Sequence, residues 1–410
     1  MTWIRSRWCS WICALLCGWF VAHNVPSRAF RSEASGWQAG EQRQVELARS
    51  VNSQLPSVAP DKFSTGSALF DGEWAFGTGV MAAIGNAQLA LQSPESRASC
   101  VSASDRALAH ITSWEIRGYD RDRWGSDPLD AEDSGEAHLA YLGYLNLALS
   151  LRYALSRSSH DALGERITDR LAAAYESSPG TLLETYPGEY YPMDNAMAVA
   201  SIALRGRVDR ARGKVDARSA QRMQIGKRWA TLARARYLDQ ASGLLLQHSA
   251  PQETDAQSTG SPRGSGSAFA AFALNYVDDE LFAELQRALR AQLLSPVLGF
   301  GLLQEFPSQV PRSERHGDID SGPLVFGYSI SASGFMVGAS RATGDDASVT
   351  SLMAMFDLLG GLERRESAGG VRLSFVSGGP LADAIMLAML TAPLHQQIDS
   401  LLEASAKETP

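Results

Sequence analysis

Two stretches of the chain gather acids among tyrosines. The first runs Glu184-Thr-Tyr-Pro-Gly-Glu189-Tyr-Tyr-Pro-Met-Asp194-Asn195 and sets Glu189 and Asp194 beside Tyr186, Tyr190 and Tyr191. The second, His316-Gly-Asp318-Ile-Asp320-Ser-Gly-Pro323, adds two acids and a histidine. Paired carboxylates suit general acid–base work, in which one stays protonated to donate while the other stays ionised to accept. Glu189 or Asp194 is the expected donor; Asp320 or Tyr144 is the expected acceptor. Asp194 and Asp320 each precede an apolar run, so capping a helix is their plain structural role. Capping does not call for Glu189, His316 or three aromatics.

Further stretches supply candidate substrate contacts: Trp124-Gly-Ser-Asp127-Pro128, Pro262-Arg263-Gly-Ser and Gly369-Gly-Val-Arg372. Arg263 and Arg372 bring positive charge to an acidic rim and could clamp a carboxylate. Tyr186, Tyr190, Tyr191, Asn195 and Asp318 complete the set, with His138 reaching in from a helix. A lone histidine such as His138 more often packs or caps than catalyses. Glu73-Trp74 stands just ahead of the first apolar helix. No Gly-rich phosphate loop, metal-ligand spacing or G-x-S-x-G elbow occurs. Nucleotide, metal and serine-hydrolase chemistry are therefore not expected, and neither a metal nor a cofactor is assigned.

These residues need a scaffold, and the hydropathy pattern supplies one. From Gly72 onward, small-residue-rich helices with at most one charge are expected at 75–91, 137–151, 195–204, 265–276, 324–340 and 381–391. Each is followed by a charged amphipathic helix, near 96–115, 160–176, 211–237, 278–293, 345–358 and 394–406. A helix apolar all round must be buried, whereas a charged amphipathic one lies outside. Six such hairpins predict an all-α (α/α)6 toroid over residues 71–410. An open helical solenoid would show a similar repeat; six units favour closure. Inner-to-outer links are short, with Gly344 and Asp345 reading as a C-cap followed by an N-cap. Outer-to-inner links are long, near 116–134, 178–193, 238–264, 294–322 and 360–379. All five should emerge on one face, beside the inner-helix N-termini, whose dipoles favour developing negative charge.

The 410 residues are 45% hydrophobic and 20% charged, within the globular range. A net charge of −8 offers nothing to phosphate backbones, so nucleic-acid binding is not expected. Arg5 and Arg7 precede the uncharged run Trp8 to Ala22, the pattern of a signal peptide or signal anchor over residues 1–26. An exported, periplasmic or extracellular body follows, touching the membrane only through that helix if it is uncleaved. Residues 27–70 read as a linker with one short helix. Three of the four cysteines lie in the apolar run; Cys100 alone stays in the body, so no internal disulfide is expected there.

The stretches Trp124-Gly-Ser-Asp-Pro-Leu129, Gly143-Tyr-Leu-Asn-Leu147, Glu189-Tyr-Tyr-Pro-Met-Asp-Asn195 and Tyr237-Leu-Asp-Gln-Ala-Ser-Gly243, in this order, resemble the linalool dehydratase/isomerase-like family. The resemblance covers roughly residues 72–360. It implies an (α/α)6 fold, export, and homo-oligomers in some members. Tyr144 stands where the linalool enzyme has a site histidine, and Thr185 and Asp194 where it has cysteines. The site reads as wet and acidic rather than dry, which points away from linalool itself. Three functions follow: acid–base (de)hydration or isomerisation of a hydroxylated small molecule, a glycosidase or polysaccharide lyase on the same scaffold, or a non-catalytic saccharide- or envelope-binding protein.

Overall fold

A computed structural model describes residues 2–39, 41–130, 135–178, 180, 182–249, 260–277, 279–367 and 369–408. The chain is predominantly helical. In order come α1 (Thr2–Ala39), α2 (Glu41–Gln54), α3 (Ala68–Gln92), α4 (Arg97–Ile111), α5 (Gly118–Trp124), α6 (Leu139–Leu155), α7 (Asp161–Ser177), α8 (Pro192–Ala211), α9 (Ala217–Arg236), α10 (Gly264–Leu274) and α11 (Leu281–Gln292). The strands β1 (Leu294–Val297), β2 (Phe300–Gln304) and β3 (Tyr328–Ser329) lead into α12 (Ile330–Thr343) and α13 (Asp346–Gly360). A hairpin of β4 (Leu362–Ser367) and β5 (Gly370–Phe375) precedes α14 (Gly379–Leu390) and α15 (Ile398–Lys407).

The apolar helices α3, α6, α8, α10, α12 and α14 are buried along most of their length. Each packs on the next in that order, and α14 packs back on α3. Small residues make the last contact possible: a Cβ on Gly85 of α3 would sit 2.6 Å from Leu387 Cγ and 3.0 Å from the Ala388 nitrogen of α14. Polar side chains between these helices satisfy one another. Asn146 donates to Ser201 at 2.7 Å, and Gln88 donates to the Tyr276 hydroxyl at 2.6 Å. The charged helices α4, α7, α9, α11 and α13 pack outside their neighbours, as the alternation predicts. Gly344 takes φ 73° at the end of α12 and the Asp345 side chain accepts from the Ser348 N–H, so both expected caps form.

Four expectations need correction. The segment 394–406 is not an outer partner of α14, for α15 packs on α3, α6 and α8. The side of α14 is covered by α2, from the stretch expected as a linker. Its Leu47 and Val51 are buried, and Gln44 reaches the Leu390 carbonyl at 3.1 Å. The inner helix expected at 324–340 starts only at Ile330, because Phe326 and Gly327 both take positive φ in a tight turn and Tyr328–Ser329 pairs with β2. Lastly, α1 runs through the boundary drawn at residue 26. Trp11, Leu15, Leu16 and Trp19 are exposed, whereas Ala34 and Trp37 are fully buried on the side of α13. Among the described residues no helix is long and apolar enough to cross a membrane, which leaves the anchor expectation unsupported.

Candidate functional site

The N-terminal ends of α3, α6 and α8 bring the acids together. Glu73 lies in the second turn of α3, and its Oε2 accepts from the Tyr186 hydroxyl at 2.9 Å. Asp194 lies in the first turn of α8, nearly buried, and accepts from the Tyr144 hydroxyl at 2.5 Å. It is not the N-cap, a position held by Tyr191. Asp320 comes from the loop before α12. It is not a cap either, since Ser329 caps that helix with a 3.0 Å bond from the Ala332 N–H.

The three carboxyls feel one another's charge. Burial, then the charge of Asp320, pushes Glu73 up to about 8, with the Tyr186 bond pulling weakly the other way. Asp194 is pushed up to about 6 by burial, against the stabilising bonds from Tyr144 and Thr185. Asp320 is pushed up to about 7 by the surrounding protein and by the charges of Asp318 and Asp194. Asp320 is exposed on its loop, and the repulsion of Asp318 and Asp194 raises it. Burial also drives the hydroxyls of Tyr144 and Tyr186 well above their ordinary value. Near neutrality both tyrosines are therefore hydrogen-bond donors, and Tyr144 is not the base expected of it. The cluster holds protonated and ionised carboxyls side by side, which is what proton donation and acceptance at one substrate require.

The remaining candidates hold this cluster in place. Fully buried Asn195 donates to the carbonyls of Leu183 and Tyr191 at 3.0 Å, while its Oδ1 accepts from the Leu183 N–H and the Tyr175 hydroxyl. Asn195 thus staples the 182–191 loop to α8 and has no hand free for substrate. Arg263 is buried between Glu305, at 2.8 Å, and Asp318, which it grips with both terminal nitrogens. Burial would raise Asp318, but Arg263 and the Ser321 N–H outweigh it and hold it low. Asp318 accepts in turn from the backbone N–H of Asp320 at 3.1 Å and of Ser321 at 3.0 Å, so it shapes the turn that presents Asp320. Asp127 is similarly engaged by Arg117.

Other expected contacts lie at the rim or elsewhere. Both oxygens of Glu189 are occupied, by Arg123 at 2.5 Å and the Tyr191 hydroxyl at 3.0 Å. The Tyr190 hydroxyl donates to Glu184. Arg372 lines a surface cleft with Asn52, Glu95 and Ser99, alongside the C-terminal half of α3, where Asn52 bonds Asn86. Asn86 lies thirteen residues beyond Glu73, about 20 Å along α3 at 1.5 Å per residue. Arg263 lies near Asp320 but is engaged by Glu305 and Asp318, and Arg372 lies away from the cluster.

His138, at the N-cap of α6, is completely buried and takes φ 46°. Its Nδ1 meets Asp120 Oδ2 at 2.5 Å and its ring lies 4.7 Å from that of Trp124. From sequence alone Glu73 and Ser126 carry no chemical role of their own, and Asp120 does not stand out at all. Glu73 had a legible signal, a carboxylate in an otherwise apolar run, obscured by starting α3 seven residues late.

The sequence matches no known protein-family model and no characterised relative. The likeness to linalool dehydratase/isomerase proteins rests on its short stretches alone.

Proposed function

We propose that the six apolar helices and their shell close an (α/α)6 toroid, and that its acidic end is the active site of an acid–base enzyme. The reaction is (de)hydration or isomerisation of a hydroxylated small molecule, of the linalool dehydratase/isomerase type but on a more polar substrate than linalool. One observation carries this reading: Glu73, Asp194 and Asp320 share a site in which two are pushed up to about 8 and 7 while Asp194 stays near 6. The packing of α14 on α3 supports closure.

In the forward direction Glu73 protonates the departing hydroxyl as the C–O bond breaks and water leaves. Asp194, aligned by Tyr144, takes a proton from the adjacent carbon, and the C–H electron pair forms the new double bond. Asp320, open to solvent, returns the proton balance to the resting state. Tyr186 and Tyr191 border the substrate. The basic start and apolar run of α1 support an exported protein, and Trp11, Leu15 and Leu16 on that helix are exposed.

A buried acid beside a solvent-open one also suits inverting glycoside hydrolysis, so the test separates the two. The full chain is incubated with panels of polyhydric and allylic alcohols and of neutral oligosaccharides, and products are followed by mass spectrometry. Water loss from an alcohol, falling roughly 10²–10⁴-fold in Glu73→Gln and Asp194→Asn, is the expected result. New reducing ends would favour the glycosidase. Full turnover in both variants would remove the acid assignments.

A further inference from the structure

A second group of chemically competent side chains lies beside the acids and takes no part in the proposed dehydration. Asp120 on α5 is fully buried, His138 is fully buried at the start of α6, and half-buried Ser126 sits in the turn between them. Asp120 Oδ2 lies 2.5 Å from His138 Nδ1, and Ser126 Oγ lies 3.1 Å from His138 Nε2. We propose that Ser126 is the nucleophile of a serine-type acyl-transfer centre for small esters, with His138 as its base and Asp120 as the positioning residue. Such centres are recognised by geometry and not by chain order or an elbow motif, which is why the Gly125-Ser126-Asp127-Pro128 stretch reads from sequence only as a substrate contact.

Several independent features fix this geometry. Gly125 takes φ 80° and ends α5, turning the chain so that Ser126 returns towards the imidazole. The serine turn is braced on both sides. Arg117 holds Asp127, while Arg170 donates to the Pro128 carbonyl at 2.9 Å and to the Glu136 carbonyl at 2.6 Å. His138 keeps a left-handed backbone that a side chain rarely adopts, and strain of this kind gathers at functional sites. The Trp124 ring covers the imidazole. Among the described residues, the buried Trp124 Nε1 and Asp120 Oδ1 have no hydrogen-bond partner.

Glu136 is the competing element. Its Oε2 accepts the Ser126 hydroxyl and lies 3.4 Å from His138 Nε2. A hydroxyl has one proton, and rotation about the Cβ–Oγ bond passes it from Glu136 to Nε2. With that proton on Nε2, Ser126 Oγ forms a bond to the ester carbonyl carbon. The C–O bond to the alcohol then breaks, and the alcohol leaves with the proton. Water repeats the sequence on the acyl-serine, releasing the carboxylic acid and restoring Ser126.

The test uses the full chain, a fluorophosphonate probe and p-nitrophenyl acetate, read by peptide mass mapping and nitrophenol release. Wild type is expected to be phosphonylated at Ser126 and to release a nitrophenol burst, and Ser126→Ala to do neither. His138→Gln should label roughly 100-fold more slowly or worse. Asp120→Asn should lower the maximal labelling rate without changing the probe concentration at half-saturation, a split that mere unfolding would not give. Glu136→Gln should label at least as fast as wild type. An unlabelled Ser126 in folded wild type, while a reference serine esterase reacts fully, overturns the proposal. Slowed labelling in Glu136→Gln would move the base role from His138 to Glu136 and overturn the assignment made here.

Discussion

Glu73 is the residue on which the chemistry turns, and its environment has a consequence for stability. A carboxyl pushed up to about 8 keeps its proton in the folded chain over a range where the unfolded chain has lost it. The folded state then binds more protons, so stability falls as pH rises from about 4.5 through 8. Asp194 and Asp320 act in the same direction through about 6 and 7. The melting temperature of wild type should therefore drop across that window. Glu73→Gln should flatten the drop and be the more stable protein above pH 8, by roughly 1–3 kcal/mol. Asn195→Ala should act differently, costing roughly 2–4 kcal/mol at any pH by orphaning the Leu183 N–H and the Tyr175 hydroxyl. Much of the cluster was legible, since Asp194, Asp320, Tyr144 and Tyr186 were all named from the sequence, although Tyr144 is a hydrogen-bond donor to Asp194 and not the expected base. Charge type did not reveal which groups were already spent. Asn195, Asp127 and Arg263 look like substrate contacts until their hydrogen bonds are counted.

Loops and helix starts were the harder part. The caps at Gly344 and Asp345 were readable because each is a local device with one residue type to find it by. The start of α12 was not, because Leu324 to Ser329 is apolar enough to continue a helix but is taken by the turn at Phe326–Gly327 and by pairing with β2. The β4–β5 hairpin escaped for a similar reason: Leu362–Ser367 is mostly exposed, so its period-2 signal is weak. The loop bearing Asp320 is set by the buried Arg263–Glu305 pair and the grip of Arg263 on Asp318. Arg263→Met should cost roughly 3–5 kcal/mol, because it leaves Glu305 buried without its cation. Adding Glu305→Leu should recover most of that loss, as chemical denaturation of the single and double variants would show.

The hairpin alternation was legible because burial on all sides favours stretches with at most one charge, and such a stretch recurs six times. The position of α15 and the use of α2 beside α14 were not, since both helices are amphipathic and such a face fits any apolar neighbour. The N-terminal helix divides at about Val25. Its second half is part of the fold: Trp37 is fully buried, stacks on Phe375 at 5.7 Å and donates to Asp357 at 3.3 Å. Trp37→Ala should cost roughly 3–5 kcal/mol. Deleting residues 2–25 should leave the melting temperature almost unchanged and remove any binding to lipid vesicles, as scanning calorimetry and vesicle flotation would show.

The central claim is that one acid of the cluster stays protonated at neutral pH beside another that is ionised. Infrared difference spectroscopy of wild type against Glu73→Gln reads this directly from the carbonyl stretch of a protonated carboxyl. The expected result is a protonated-carboxyl band at pH 7 in wild type, of which the part titrating away near pH 8 is lost in Glu73→Gln while the Asp320 part, titrating near 7, remains. A wild-type spectrum at pH 7 with every carboxyl ionised, or a protonated band that survives Glu73→Gln unchanged, would contradict the account.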